Sequence, residues 1–203
     1  SRSDVLGERP NSEPSAADDK LAIDVIVNEP ISVAAELPLV DAAKLMVHYS
    51  IHRVFVTDRE QLQGVLSTRD LMVAVRDSRL RRPISDFVTS PVFTVGAYEP
   101  LSAANDMLSR ARISGLVVTD LGMPVGIYTQ REALAALSQP DSAAVEGAMN
   151  AAIACTSPAL PVFRAASQAV AMKVHRVIAI DSGELIGMMS GLDFARAYAD
   201  PQT

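Results

Sequence analysis

Three pairs of side chains have the types and spacing to do chemistry: Ser67 with Asp70, Thr129 with Glu132, and Ser190 with Asp193. Each pair ends a seven-residue stretch that opens on glycine: Gly64-Val-Leu-Ser67-Thr-Arg-Asp70, Gly126-Ile-Tyr-Thr129-Gln-Arg-Glu132 and Gly187-Met-Met-Ser190-Gly-Leu-Asp193. A hydroxyl at the start of a helix lies beside free backbone amides, a natural site for an anion and above all for phosphate. A carboxylate three residues on repels phosphate but can accept hydrogen bonds from ribose hydroxyls. Together the two describe a nucleotide site. The same Ser/Thr-x-x-Asp/Glu spacing is also a capping box, which satisfies the orphan amides of a helix start, and Glu132 suits that role better than a ribose clamp. Spacing alone leaves both readings open.

Two further pairs carry charge to the same neighbourhood. His52-Arg53 and His175-Arg176 open an apolar stretch upstream of the first and third glycines, where the second copy has Ser114-Gly115. Arginine there could grip phosphate oxygens in a bidentate fashion, or these residues could cap sheet edges and pair with nearby carboxylates. Arg69 and Arg131, each beside its acid, complete the candidate set.

The elements that must position these residues recur with them. The period is about 60 residues, the mark of a repeat architecture. Asp58, Asp120 and Asp181 precede the glycines at one spacing, as do Pro38, Pro100 and Pro161 further upstream. Each proline fits a helix start, where its missing amide needs no partner. Helical periodicity then runs over Leu39–Tyr49, Leu101–Arg112 and Val162–Val174. Short strands are expected at Ile31–Val33 and Phe93–Val95. Paired strands are expected at Val54–Thr57 with Gly64–Leu66, at Gly115–Thr119 with Val125–Tyr128, and at Val177–Ile180 with Leu185–Met189. A turn is expected over Arg59–Gln63 and a second helix from Ser67 to about Val75. Each copy thus reads β-α-β-β-α behind a short leading segment, an α/β (α+β) unit with helices on one sheet face. The other face needs a cover, so copies should pair through their sheets. The divisions are a flexible tail over 1–20 and copies over 21–78, 79–140 and 141–200. Leu21–Val27 could be helix or strand. Arg76–Pro83, the densest basic stretch, is either a solvated connector or a contact for phosphate or an acidic partner.

Composition excludes several classes. The 203 residues are just under half apolar, enough for a real core. A net charge of −6 with no Trp argues against nucleic acid, which is bound through clustered cations and stacking aromatics. No apolar run reaches the roughly 18 residues of a membrane span. The lone Cys155 forbids an internal disulfide and fits a reducing, cytoplasmic setting; its expected place is a buried small residue near a strand. The chain opens on Ser rather than Met and shows no signal peptide, which suggests a trimmed start.

The strand Asp, the hairpin and Gly-x-x-Ser/Thr-x-x-Asp together resemble the signature of CBS repeats, the adenosine-binding units named after cystathionine β-synthase. The resemblance covers most of the chain. It implies pairs of repeats packed as a Bateman module with clefts for AMP, ADP, ATP or S-adenosylmethionine as regulatory ligand, and no catalytic cofactor. It implies ribose contacts for Asp70 and Asp193, and phosphate or ribose contacts for Ser67 and Ser190. Thr129 matches the hydroxyl position, while Glu132 departs from the usual Asp. The His-Arg pairs resemble phosphate-contacting pairs in the regulatory subunit of AMP-activated protein kinase. Phe55, Val117 and Ile178 stand where many members have proline. Three copies leave one without a partner, so a homodimer is expected or a fourth copy lies elsewhere.

Two other functions compete with ligand sensing for a regulated protein partner. A scaffold would fold and dimerise with empty clefts, its acids serving as caps. An enzyme has little support: the chain has no phosphate loop ending in Lys-Ser/Thr, no His-Glu-x-x-His and no cysteine pair for a metal.

Overall fold

In the computed structural model, which describes residues 21, 26 and 29–200, one order of elements recurs three times. The expected tail and most of Leu21–Val27 lie outside the described residues. The first motif is β1 (Ser32–Ala34), α1 (Leu39–His48), β2 (Arg53–Asp58), β3 (Gln61–Ser67) and α2 (Thr68–Ser78). The second is β4 (Thr94–Gly96), α3 (Leu101–Arg110), β5 (Gly115–Asp120), β6 (Met123–Thr129) and α4 (Gln130–Ala135). The third is β7 (Ala154–Thr156), α5 (Val162–Ala171), β8 (Val177–Asp181), β9 (Glu184–Met189) and α6 (Gly191–Ala199).

Each motif builds a three-stranded sheet with the first strand parallel and the third antiparallel to the middle one. Pro38, Pro100 and Pro161 are the N-caps of α1, α3 and α5, as their spacing requires. The first hairpin turn is tighter than expected. Arg59 and Glu60, at φ 46° and 65°, make a two-residue turn, so Gln61–Gln63 already belong to β3. Successive left-handed residues match the twist of the flanking strands. Val56 pairs with Gly64 and Thr57 with Leu62, which leaves Gln63 as the extra residue of a bulge.

The chain divides into two compact parts. In one, residues 93–151 close a core of their own. Leu101, Leu108, Leu116 and the buried Tyr128 fill it, and Val145 seals it from a 3₁₀ turn at Val145–Gly147. That turn is the leading segment of the third motif, yet Asn150 exchanges two backbone hydrogen bonds with Ile127 on β6.

The other part holds Pro30–Val92 and the chain from Ala152 onward. Its first and third motifs meet mainly helix to helix, α2 against α5 and α6, and α1 against α6. The two motifs form a tandem pair in which these helices make the closest contact. The reason is α2, which is apolar on two sides. Leu71 joins the core of the first motif, whereas Met72 and Val75 join that of the third. Gly191, at the start of α6, lets Thr68 at the start of α2 come close, since a Cβ there would lie 2.6 Å from the Thr68 hydroxyl. The leading segment of the second motif completes this part. Ile84 and Phe87 are buried in the core of the third motif, and Thr89 exchanges two backbone hydrogen bonds with Met188 on β9. Both leading segments therefore serve a motif other than the one they precede.

Candidate functional site

All three hydroxyl–acid pairs sit at the strand-to-helix junctions where their spacing puts them, and all three form capping boxes. In the first, the Ser67 amide and hydroxyl donate to Asp70 Oδ2 at 2.8 and 2.6 Å. In the third, the Ser190 amide and hydroxyl donate to Asp193 Oδ2, both at 2.7 Å. In the second, the Thr129 amide donates to Glu132 Oε2 at 3.2 Å, its hydroxyl donates to the same oxygen, and the Arg131 amide donates to Thr129 Oγ1.

The second carboxylate oxygen separates the first motif from the third. Asp193 Oδ1 accepts from Arg196 Nη2 at 2.7 Å, and the Asp193 side chain is only 8% exposed. The same nitrogen donates to the Phe87 carbonyl at 2.5 Å, so the leading segment and the acid are tied through one guanidinium. Asp70 is exposed, its Oδ1 takes no donor among the described residues, and Val73 stands where the third motif has Arg196.

The glycines divide the same way. A Cβ on Gly187 would lie 2.7 Å from Val88 Cγ2 and 3.1 Å from the Thr89 carbonyl. One on Gly126 would run into the Met149 side chain and lie 3.1 Å from the Asn150 carbonyl. These two glycines are there because a leading segment crosses them. Around Gly64 nothing described comes within 4 Å. The result is an open groove of about 280 Å³ lined by Val56, Gln63, Gly64, Val65, Leu66 and Asp70.

The candidate cations are mostly exposed. Arg53 is directly across from Ser67 in the β2–β3 register, and the His52 carbonyl accepts from the Thr68 amide at 3.0 Å, pinning the start of α2 to the strand. His52, Arg53 and Arg69 are exposed, and Arg53 and Arg69 make no ion pair among the described residues. His175 is exposed and Arg176 half-buried at the corresponding end of β8. Arg131 is exposed on the second motif. The basic stretch that begins in the last turn of α2 is partly spent. Arg76 pairs with Asp77 at 2.8 Å, which raises the arginine's pKa and lowers the carboxylate's. Arg82 pairs with Asp86 at 3.0 Å and lies over the Phe87 ring. Cys155 is exposed in β7, not buried as its type suggests, because the middle residue of that short strand points away from the helices. Partial desolvation raises its thiol pKa, the opposite of an activated nucleophile.

Reading the sequence missed Val56, Gln63, Val65 and Leu66 as groove walls, and Arg196 as the lock on Asp193. The lock had a signal, since Asp193 and Arg196 are three apart on a helix.

Known proteins bear on this arrangement. The family model described as CBS domain matches residues 22–77 and 84–139. The L-aspartate semialdehyde sulfurtransferase of Methanocaldococcus jannaschii is 27% identical over 133 residues, 64% of this chain, and the chain spans only 26% of that protein's length. An uncharacterized conserved protein from Pyrococcus horikoshii has the same fold at a TM-score of 0.72 and 24% identity, over 87% of this chain and 82% of its own. The CBS domain pair of protein MJ0100, solved with 5′-methylthioadenosine and S-adenosyl-L-methionine, aligns at a TM-score of 0.53 and 22% identity over 58% of this chain and 96% of its own. No described helix is long and apolar enough to cross a membrane.

Proposed function

Because the chain belongs to the CBS-domain family, we propose that it is a regulatory module that senses an adenosine compound, AMP, ADP, ATP or S-adenosylmethionine, in the groove of its first motif. The observation that carries this reading is that, among the described residues, Asp70 Oδ1 takes no donor and nothing covers Gly64. A carboxylate already oriented by Ser67 can accept from ribose hydroxyls through Oδ1. Val56, Val65 and Leu66 offer apolar wall to a base, and Arg53 and Arg69 supply charge for phosphate or carboxylate. The adenosyl ligands held by the MJ0100 pair support the ligand class.

The third motif is a third CBS repeat in this reading, so the repeats run over 21–78, 79–140 and 141–200. It shares the element order, the glycine and the capping box, and the Pyrococcus fold extends over it. The module is non-catalytic, works in the cytoplasm as a homodimer, and reports to a regulated protein partner. A ligand shifts such a module only by binding its arrangements unequally.

Titration calorimetry with AMP, ATP and S-adenosylmethionine tests the site. One equivalent per chain is expected for at least one of them, and Asp70→Ala should weaken it at least tenfold while the protein stays folded. No heat and no thermal shift with any of the three would overturn the proposal. A scaffold reading is favoured for the other two motifs by one observation: their glycines are covered by leading segments.

A further inference from the structure

The basic stretch over 76–83 meets a second basic element far away in the sequence. The Leu80 and Arg82 carbonyls accept from the Phe163 and Val162 amides at 3.2 and 2.8 Å, and Pro83 bridges Pro161. Residues 79–82 therefore lie against the first turn of α5, which carries Arg164. Arg76 and Arg82 are spent on Asp77, Asp86 and Asp200. Arg79, Arg81 and Arg164 are exposed and make no ion pair among the described residues. Charge is segregated here. The chain has a net charge of −6, yet it holds no Asp or Glu between Glu146 and Asp181, and α5 lies inside that interval.

We propose that this patch binds an acidic segment of a partner protein, its Asp and Glu carboxylates held by the forks of Arg79, Arg81 and Arg164. The inference rests on the protein-partner reading above and gives that partner a surface and a chemistry. Every cation of the patch is arginine, whose planar fork takes a carboxylate through two parallel hydrogen bonds. Unengaged arginines this few suit a short segment with a few carboxylates. A long polyanion needs a track of cations, and a net charge of −6 repels it. Position ties the patch to the groove. Asp70 lies in the first turn of α2 and Arg79 is its C-cap, so groove and patch stand at the two ends of one helix about 16 Å long. Because α2 packs on α5, a ligand that moves α2 against α5 shifts Arg79 and Arg81 against Arg164.

Fluorescence anisotropy of the full chain with a labelled decapeptide of alternating Glu and Ala tests the patch, beside the same peptide with Gln for Glu. The Glu peptide should bind and the Gln peptide should not. Arg79→Gln combined with Arg81→Gln should weaken binding by about tenfold or more, with unchanged circular dichroism. Arg110→Gln combined with Arg112→Gln removes the same charge from exposed positions of the second motif and should leave binding unchanged. No binding of the Glu peptide at low salt overturns the proposal, as do equal binding of both peptides and an equal loss in the two double variants. Duplex DNA held by the same arginines more tightly than the peptide would make the patch a polyanion site, and overturns it too. So does ATP that displaces the peptide from Asp70→Ala, which would make it a phosphate site. Calorimetry of the Arg79→Gln, Arg81→Gln variant with AMP, ATP and S-adenosylmethionine separates the two readings. Peptide binding lost with ligand heats retained is the expected result. Peptide binding by a wild type that gives no heat with any of the three overturns the groove and leaves the patch standing.

Discussion

The first and third motifs carry the same glycine, the same hydroxyl and the same acid, in the same order on the same elements. In the third, Val88 and Thr89 cross the glycine, and Arg196 holds the acid to the Phe87 carbonyl. In the first, no described residue comes within 4 Å of a Cβ on the glycine, and the second oxygen of the acid takes no donor among the described residues. A capping box and a ligand site are therefore not rival explanations of one pattern. The cap uses one carboxylate oxygen, and the second oxygen is what a motif can either lock or leave to a ligand.

The comparison can be broken at the glycines first. Gly187→Val should cost about 3 kcal/mol, since the new side chain overpacks against Val88. Gly64→Val should change stability by less than about 0.5 kcal/mol, since no described atom lies within 4 Å of a Cβ there. Urea unfolding of both variants checks this, and equal losses would mean the two glycines have the same surroundings.

The acids give the next largest contrast. Asp193→Ala removes the cap and strands Arg196, so about 2 kcal/mol of stability should go. Asp70→Ala should cost about 1 kcal/mol, the value of a helix cap alone, with its main effect on ligand affinity. Arg196→Met sharpens the point: if the lock is what closes the third motif, freeing Asp193 Oδ1 should raise ligand stoichiometry toward two per chain in calorimetry. The smallest effect concerns Cys155. Although exposed, its thiol pKa is raised by desolvation, so alkylation by iodoacetamide near neutral pH should be slower than that of a small free thiol, and the gap should close as the pH rises past both values.

Much of this was legible from residues alone, for a physical reason. Capping boxes, helix-opening prolines and hairpin alternation are local, so Ser67 with Asp70 or Pro38 before Leu39 declare themselves within a few positions. The exchange of leading segments is not local. Thr89 bonds to Met188 and Phe87 to Arg196 across most of two motifs, and nothing near residue 89 names its partner. Of the difference between Asp70 and Asp193, the Arg196 lock was local, three residues from its acid where the first motif has Val73, but the covering of Gly187 by Val88 and Thr89 followed from that exchange. The position of α2 between two cores was hidden likewise, because Leu71, Met72 and Val75 show an apolar helix without showing how many neighbours it has.

That shared helix has a consequence for how the protein is born. As α2 leaves the ribosome, Met72 and Val75 have nothing to cover them until α5 and α6 follow. At about 5–20 residues per second that leaves them bare for on the order of ten seconds. Residues 93–151, which close their own core with Val145, emerge in the interval and can finish at once. The middle of this polypeptide is then complete while its beginning still waits for its end.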